Sequence, residues 1–335
     1  MAFAITPTRT FTSAQLDSYR QIGDPPADDV ISSVVLGGGR EGVGKLMKWL
    51  ADTTDFDTSC QPQVVQQFFV DFAHLPAWAD QVKMRRGMAF YQQHIGVIGL
   101  VLGTFSLPYT YLGANGVQLL WLTDRIRTDT ARRLQETGEW VFAVNDPKNW
   151  GASQKATLYT LKIRLIHAAS RWFGLQSDRW NMEWGLPVCQ EDMVGTIGSF
   201  GYIVLRGLRK MGVAMTSEEE DDYLHHINVV GYLNGVAEEL LPQNLREAYH
   251  LDKLISQRQF RSSDAGTGLT KALLDTIGKQ AGSDNARNLA AAQMRFFLGS
   301  EHADALNVPD VPVETRLMSV VSRLPIFPKL IPSQI

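Results

Sequence analysis

Apolar residues recur at three- and four-residue spacing over most of the chain, the mark of amphipathic helices, and no convincing run of alternating positions indicates a strand. Ser13 is placed to cap a short helix through Tyr19. The run Gly23-Asp24-Pro25-Pro26-Ala27-Asp28-Asp29 then reads as a turn entering the next helix, because prolines and acids suit a first helical turn. That helix is predicted to end at Gly37-Gly38-Gly39. No formally charged residue occurs between Arg86 and Asp124; this stretch predicts two buried helices joined by a Ser106-Leu107-Pro108-Tyr109 turn, with a further break at Asn115-Gly116. Helical spacing continues over Leu158–Trp172, over Glu191–Met211 as one long helix, and from a capping box of Ser217 with Glu220 through Gly235. It resumes over Leu241–Arg261, Leu269–Ile277 and Asn285–Leu298 before a proline-punctuated tail from Pro309. The expected fold is all-α: a single large helical domain over 1–335, with an N-terminal extension of about 1–22 and a C-terminal tail of about 309–335.

Composition narrows the function classes. With 335 residues, 44% of them hydrophobic, the chain is able to bury a large core. Its net charge is −3 and its basic residues are scattered among acidic ones, so no stripe for nucleic-acid phosphates exists. The uncharged stretch is long enough for a membrane span, but Pro108, Asn115-Gly116 and repeated glycines break it, and no integral span is expected. The opening MAFAITPTRTF has neither a secretory core nor twin arginines, which predicts a cytoplasmic protein. Cys60 and Cys189 read as reduced thiols acting as small hydrophobes. Gly39–Lys45 matches a phosphate loop in outline, yet Leu46 replaces the magnesium-binding hydroxyl residue and no strand–helix rhythm follows, so a glycine-rich turn between helices is expected. The glycines at 195, 198 and 201 are wrongly spaced for a dinucleotide fingerprint.

The candidate chemistry lies in Leu158–Trp172, LYTLKIRLIHAASRW. Arg164, His167 and Arg171 share one helix face, and two guanidiniums beside an imidazole favour its neutral, metal-binding form. The same arginines could pair with ligand carboxylates, a combination that haem requires through its iron and its two propionates. A core histidine beside two surface arginines is the plain alternative. Upstream, in Asp124–Trp140, Arg133 and Thr137 lie one helical turn apart with Glu136 beside them.

These two segments together resemble the b-type haem oxygenases that include the latex-clearing, rubber-cleaving proteins and the fungal oxygenase MpaB. In that family an Arg-x-x-x-Thr segment covers the distal haem side and the axial histidine follows within Arg-x-x-His-Ala-x-x-Arg; both patterns stand here. The resemblance extends to Gly23-Asp24-Pro25 with Ala27-Asp28, to Gly185-Leu186-Pro187 with Gln190 and Asp192, and to Arg295–Leu306. It implies non-covalent haem b between central helices, and no Cys-x-x-Cys-His occurs for covalent attachment. It assigns His167 as proximal iron ligand, Arg164 and Arg171 as partners of the propionates or haem edge, and Arg133 and Thr137 as distal hydrogen-bond donors toward dioxygen. It implies oxidative cleavage of a C=C bond in a small isoprenoid-like or other apolar substrate. The uncharged stretch, with Gly96, Gly99 and Gly103, is the candidate for one pocket wall, while His94 reads as a core histidine.

The departure from the pattern is Glu136, where rubber-cleaving members carry a lysine able to reach the iron. Glu136 either sits in a dry pocket as an acid or base, or points to solvent and pairs with Arg132 or Arg133. Rubber itself is not carried over. A non-catalytic haem sensor or carrier would use the same His167. A di-iron oxidase would use Asp222-x-x-His225 and Glu247-x-x-His250, each placing a carboxylate and a histidine one turn apart. The substrate and any homo-oligomeric state stay open.

Overall fold

The computed structural model describes residues 9–123 and 130–311, which fold into helices throughout, with no strand beyond one isolated bridge between Gly113 and Phe260. In chain order these are α1 (Ser13–Tyr19), α2 (Pro25–Leu50), α3 (Gln63–Phe72) and α4 (Gln81–Val101), then a π turn (Leu102–Ser106), α5 (Leu107–Tyr111) and α6 (Val117–Leu122). The second half contains α7 (Thr130–Val144), α8 (Lys155–Leu175), α9 (Gln190–Phe200), α10 (Tyr202–Lys210), α11 (Ser217–Leu233), α12 (Leu245–Gln259), α13 (Asp264–Ala281), α14 (Asp284–Leu298) and α15 (Ser300–Ala305). The expected all-α class is therefore observed. The readings made for residues 124–129 and for the tail beyond Val311 lie outside the described residues.

Helix α8 is central, buried along most of its length, and closes two cores. Leu161, Leu165, Ala168 and Ala169 pack against α2 and α3, with Val30, Ile31, Val34 and Phe68 opposite them. Ala156 and Tyr159 belong to the larger core built from α4 to α14. Helices α4 and α11 form the other extensive pair, drawn together at Gly87, where any Cβ would stand 2.6 Å from the Asp222 carbonyl oxygen.

Several local expectations are corrected by side-chain chemistry. The first helix is capped by Thr12, which accepts from Gln15 N, and the capping box of α11 is Thr216 with Glu219, each one residue before the expected cap. The glycine run kinks α2 at Gly39, φ 58°, and the chain continues helically to Leu50. No turn forms at Ser106–Tyr109: the helix runs on through a π turn. That widening fits Pro108, which lacks an N–H and whose ring crowds the carbonyl four residues back. The expected helix over Glu191–Met211 is broken at Gly201, which leaves helical geometry at φ −98°, ψ −87°. Gly96 and Gly99 have open space where a Cβ would stand, so their small size admits no neighbouring backbone.

Candidate functional site

The candidate site is built on one stripe of α8: Thr160, Ile163, His167, Arg171 and Gly174 follow at intervals of three and four residues and so share a face. Both ends of the stripe are covered. Thr160 Oγ1 accepts from Trp140 Nε1 of α7 at 3.1 Å, and a Cβ on Gly174 would stand 3.0 Å from Leu119 of α6 and 3.1 Å from Pro187. Between them Ile163, His167 and Ser170 are only half-buried. The middle of this face of α8 is thus less covered than its two ends, which meet α7 and α6.

Helix α7 runs antiparallel to α8, held by the Trp140–Thr160 bond and by Tyr159, whose hydroxyl donates to the Glu136 carbonyl at 3.4 Å. Arg133 lies as far before Trp140 as His167 lies beyond Thr160, about 10 Å along each axis, which sets it across from the histidine. Thr137 follows one turn later, and both side chains are exposed. Burial, then the charges of Arg171 and Arg133, hold His167 down at about 3, so the imidazole is neutral at physiological pH. Its Nδ1 is buried without a hydrogen-bond partner.

The arginines flanking His167 are held by the N-terminal motif. Asp24 and Asp28 stand one turn apart at the start of α2 and reach α8 from its other side. Arg164 donates through Nε and Nη2 to Asp24 at 2.6 and 2.8 Å, with both side chains buried. Arg171 donates through Nε to Asp28 at 2.8 Å and through Nη1 to the Val188 carbonyl at 2.5 Å. Gln190 joins the loops behind this clamp: its amide donates to the Gly23 and Gly235 carbonyls, and its oxygen accepts from Ala237 N.

Two expectations change as a result. Arg164 is not held ready for a propionate, because a carboxylate of its own chain already takes the bidentate face of its guanidinium. Glu136 is not in a dry pocket: it is half-exposed and accepts from Arg132 at 2.9 Å, one turn back, which is the second alternative left by the sequence. Arg171 keeps one donor unspent, since its Nη2 is buried with no partner. His167 Nδ1 and Arg171 Nη2 thus present two unpartnered buried nitrogens one helical turn apart. An imidazole nitrogen for iron and a guanidinium N–H for a carboxylate are what a haem asks of its protein, and this donor set fits it.

The sequence missed the clamp. Asp24 and Asp28 read there as helix-start acids, yet acids four apart facing arginines seven apart were the available signal. It also missed Tyr111, a buried phenol that burial pushes up and that feels the Arg133 charge. The di-iron reading is overturned. Asp222 is bound by Arg86 at 2.5 and 3.1 Å, His225 Nε2 accepts from Asp80 N, and the Glu247 carboxylate accepts from Arg9 N, Gln243 N and Asn244 Nδ2. Among the described residues no three His, Cys, Asp or Glu side chains converge as a metal site. His94 lies against Phe90 at 4.7 Å between ring centres, and no helix among the described residues is long and apolar enough to cross a membrane.

Residues 96–324 match the model of the catalytic domain of the ER-bound oxygenase mpaB/B'/rubber oxygenase family. The chain belongs to this family. A relative within reach is the rubber oxygenase of Streptomyces sp. (strain K30), 24% identical over 302 residues that make up 89% of this chain and 74% of that protein. The fold is similar to that of the latex clearing protein LCP in its closed state, with a TM-score of 0.76 at 23% identity over 92% of this chain and 83% of that one. Arg133, Thr137, His167 and Arg171 lie inside the family segment, whereas Asp24 and Asp28 lie outside it.

Proposed function

We propose that this oxygenase-family chain is a haem b-dependent enzyme that uses dioxygen to cleave a C=C bond in an apolar, isoprenoid-like substrate. The carrying observation is the pair of unpartnered buried nitrogens, His167 Nδ1 and Arg171 Nη2, on the half-open stripe of α8. The relative named rubber oxygenase supports the reaction class.

Bound haem would supply an iron centre at which dioxygen is activated. The chain's own residues supply the rest. His167 offers a neutral imidazole, because burial and two nearby guanidiniums keep the proton off it. Arg171 offers one N–H to a propionate while Asp28 and the Val188 carbonyl fix its other nitrogens. Arg133 and Thr137, on α7 opposite, would provide a guanidinium and a hydroxyl, donors of the kind that stabilise negative charge developing on oxygen. Glu136, tied to Arg132, is given no proton-transfer role. Apolar side chains on and beside this face, Ile163 and Leu119, suit a substrate without charge.

The test is an absorption spectrum of the purified protein with iron measured alongside. A strong Soret band and a b-type pyridine haemochrome are expected, and His167→Ala should lose haem while retaining helical circular dichroism. A colourless, iron-free protein that takes up no added haemin, or full haem occupancy in the variant, refutes the assignment.

A further inference from the structure

A cavity opens at the Asp24–Arg164 pair of the arginine clamp, and its lining includes none of His167, Arg171, Arg133 and Thr137. It is open to solvent and has a volume of about 370 Å³, within the range of small-molecule sites, about 300–1,000 Å³. Its floor is the Asp24–Arg164 pair, its walls include Phe72, Tyr232, Ile22 and Val236, and Glu238 and Glu239 stand at its lip.

The floor carries one unspent donor. Arg164 is 7% exposed, and Asp24 takes its Nε and Nη2. Nη1 has no acceptor among the described residues and is not sealed off, and Arg164 lines the cavity. The guanidinium lies on Phe72, 4.5 Å from the ring centre, which fixes its plane. A guanidinium N–H that faces a cavity is hydrated there by water, which a ligand oxygen can replace as acceptor.

The charges decide which oxygen. Asp24 already neutralises Arg164, and two carboxylates stand at the lip, of which Glu239 accepts from the Tyr19 hydroxyl. Arg9 lies nearby and donates to the carbonyls of Glu238 and Leu241. An anion would have to pass Glu238 and Glu239 and then sit beside Asp24 with only half a guanidinium to greet it. A primary ammonium would meet Arg164 at the floor and leave Nη1 unpaired. A neutral oxygen acceptor meets neither penalty, and the aromatic and aliphatic walls favour an apolar body behind it.

We propose that this cavity binds a neutral, mainly apolar small molecule through one carbonyl oxygen that accepts a hydrogen bond from Arg164 Nη1.

Binding is followed by methyl NMR of the full-length protein, labelled at Ile, Leu and Val, during titration with 2-heptanone, hexanoate and heptylamine. The ketone should shift the Ile22 and Val236 methyls and bind at least tenfold more tightly than either charged probe. Ile22→Trp at the half-exposed rim, or Ala237→Trp as a second way to fill the mouth, should weaken the ketone at least tenfold while helicity is retained. Tighter binding of hexanoate or heptylamine, ketone shifts elsewhere in the molecule, no ketone shifts at all, or unaltered affinity in both tryptophan variants would each overturn the proposal. No turnover or haem is needed, so the result is separate from that of the haem test.

Discussion

Asp24→Asn removes a charge while keeping nearly the same shape, and the structure states what is left behind. Arg164 remains buried, 8% of its side chain exposed, against the rings of Phe72 and Phe68, 4.5 and 5.4 Å from its guanidinium carbon. Breaking one side of such a buried pair costs about 3–5 kcal/mol, because the surviving charge is uncompensated in a low-dielectric setting. At roughly 2 °C per kcal/mol for a chain of this size, the melting temperature should fall by roughly 6–10 °C. The cleaner measurement is a double-mutant cycle with Arg164→Met, which places an apolar chain against the same two rings. The double variant should recover most of the loss, with a coupling of at least about 2 kcal/mol in urea unfolding. If Asn at 24 costs less than about 1 kcal/mol, or the two changes are additive, the clamp does not hold α2 to α8 as described.

Lys162→Met should destabilise the fold by about 2 kcal/mol, read from urea unfolding, because the ammonium satisfies the Trp49 and Asp52 carbonyls at 2.8 and 2.7 Å, as well as that of Asp55, at the end of α2. Thr137→Ala should leave haem content and melting temperature unchanged while lowering oxygen consumption with substrate; unaltered turnover would make the residue a bystander. Acid should weaken the fold through His226, which burial holds down at about 3: the unfolded chain binds more protons between there and about 6.5, so about 2 kcal/mol is lost by pH 5. Asp252 works the other way, since burial pushes it up to about 6 and the folded state then takes up the extra proton as pH falls through that value. Asp252→Asn should therefore steepen the loss between pH 6 and 5, and an identical or shallower profile would contradict the assignment.

The helical class and the histidine stripe were legible because both are local: apolar spacing sets the helices, and Arg164, His167 and Arg171 fall on one face by arithmetic alone. Helix ends were legible only to a residue, since Thr12 and Thr216 compete with the adjacent Ser13 and Ser217 for the same cap geometry. What could not be read was partnership at long range. Arg164 has the same sequence neighbours whether it meets a ligand or Asp24, 140 residues away, and only the folded chain chooses. Glu136 shows the converse, because its partner Arg132 lies one turn back and the pair was foreseeable from spacing. The π turn before Pro108 lay between these cases: proline announced a disturbance, but a wider helical turn and a chain reversal begin with the same residue.

The acids that steady the histidine helix come from residues ahead of the segment by which the family is recognised. A fragment beginning at residue 96 would retain His167, Arg133 and Thr137 yet carry two guanidiniums stripped of their counter-ions, and it would lose the Val30, Ile31 and Phe68 side chains that cover the back of that helix. The first third of the chain is thus no dispensable leader to an autonomous catalytic unit. It is a packing partner of the histidine helix, and trimming to the recognisable part would strip that helix of its counter-ions and its cover.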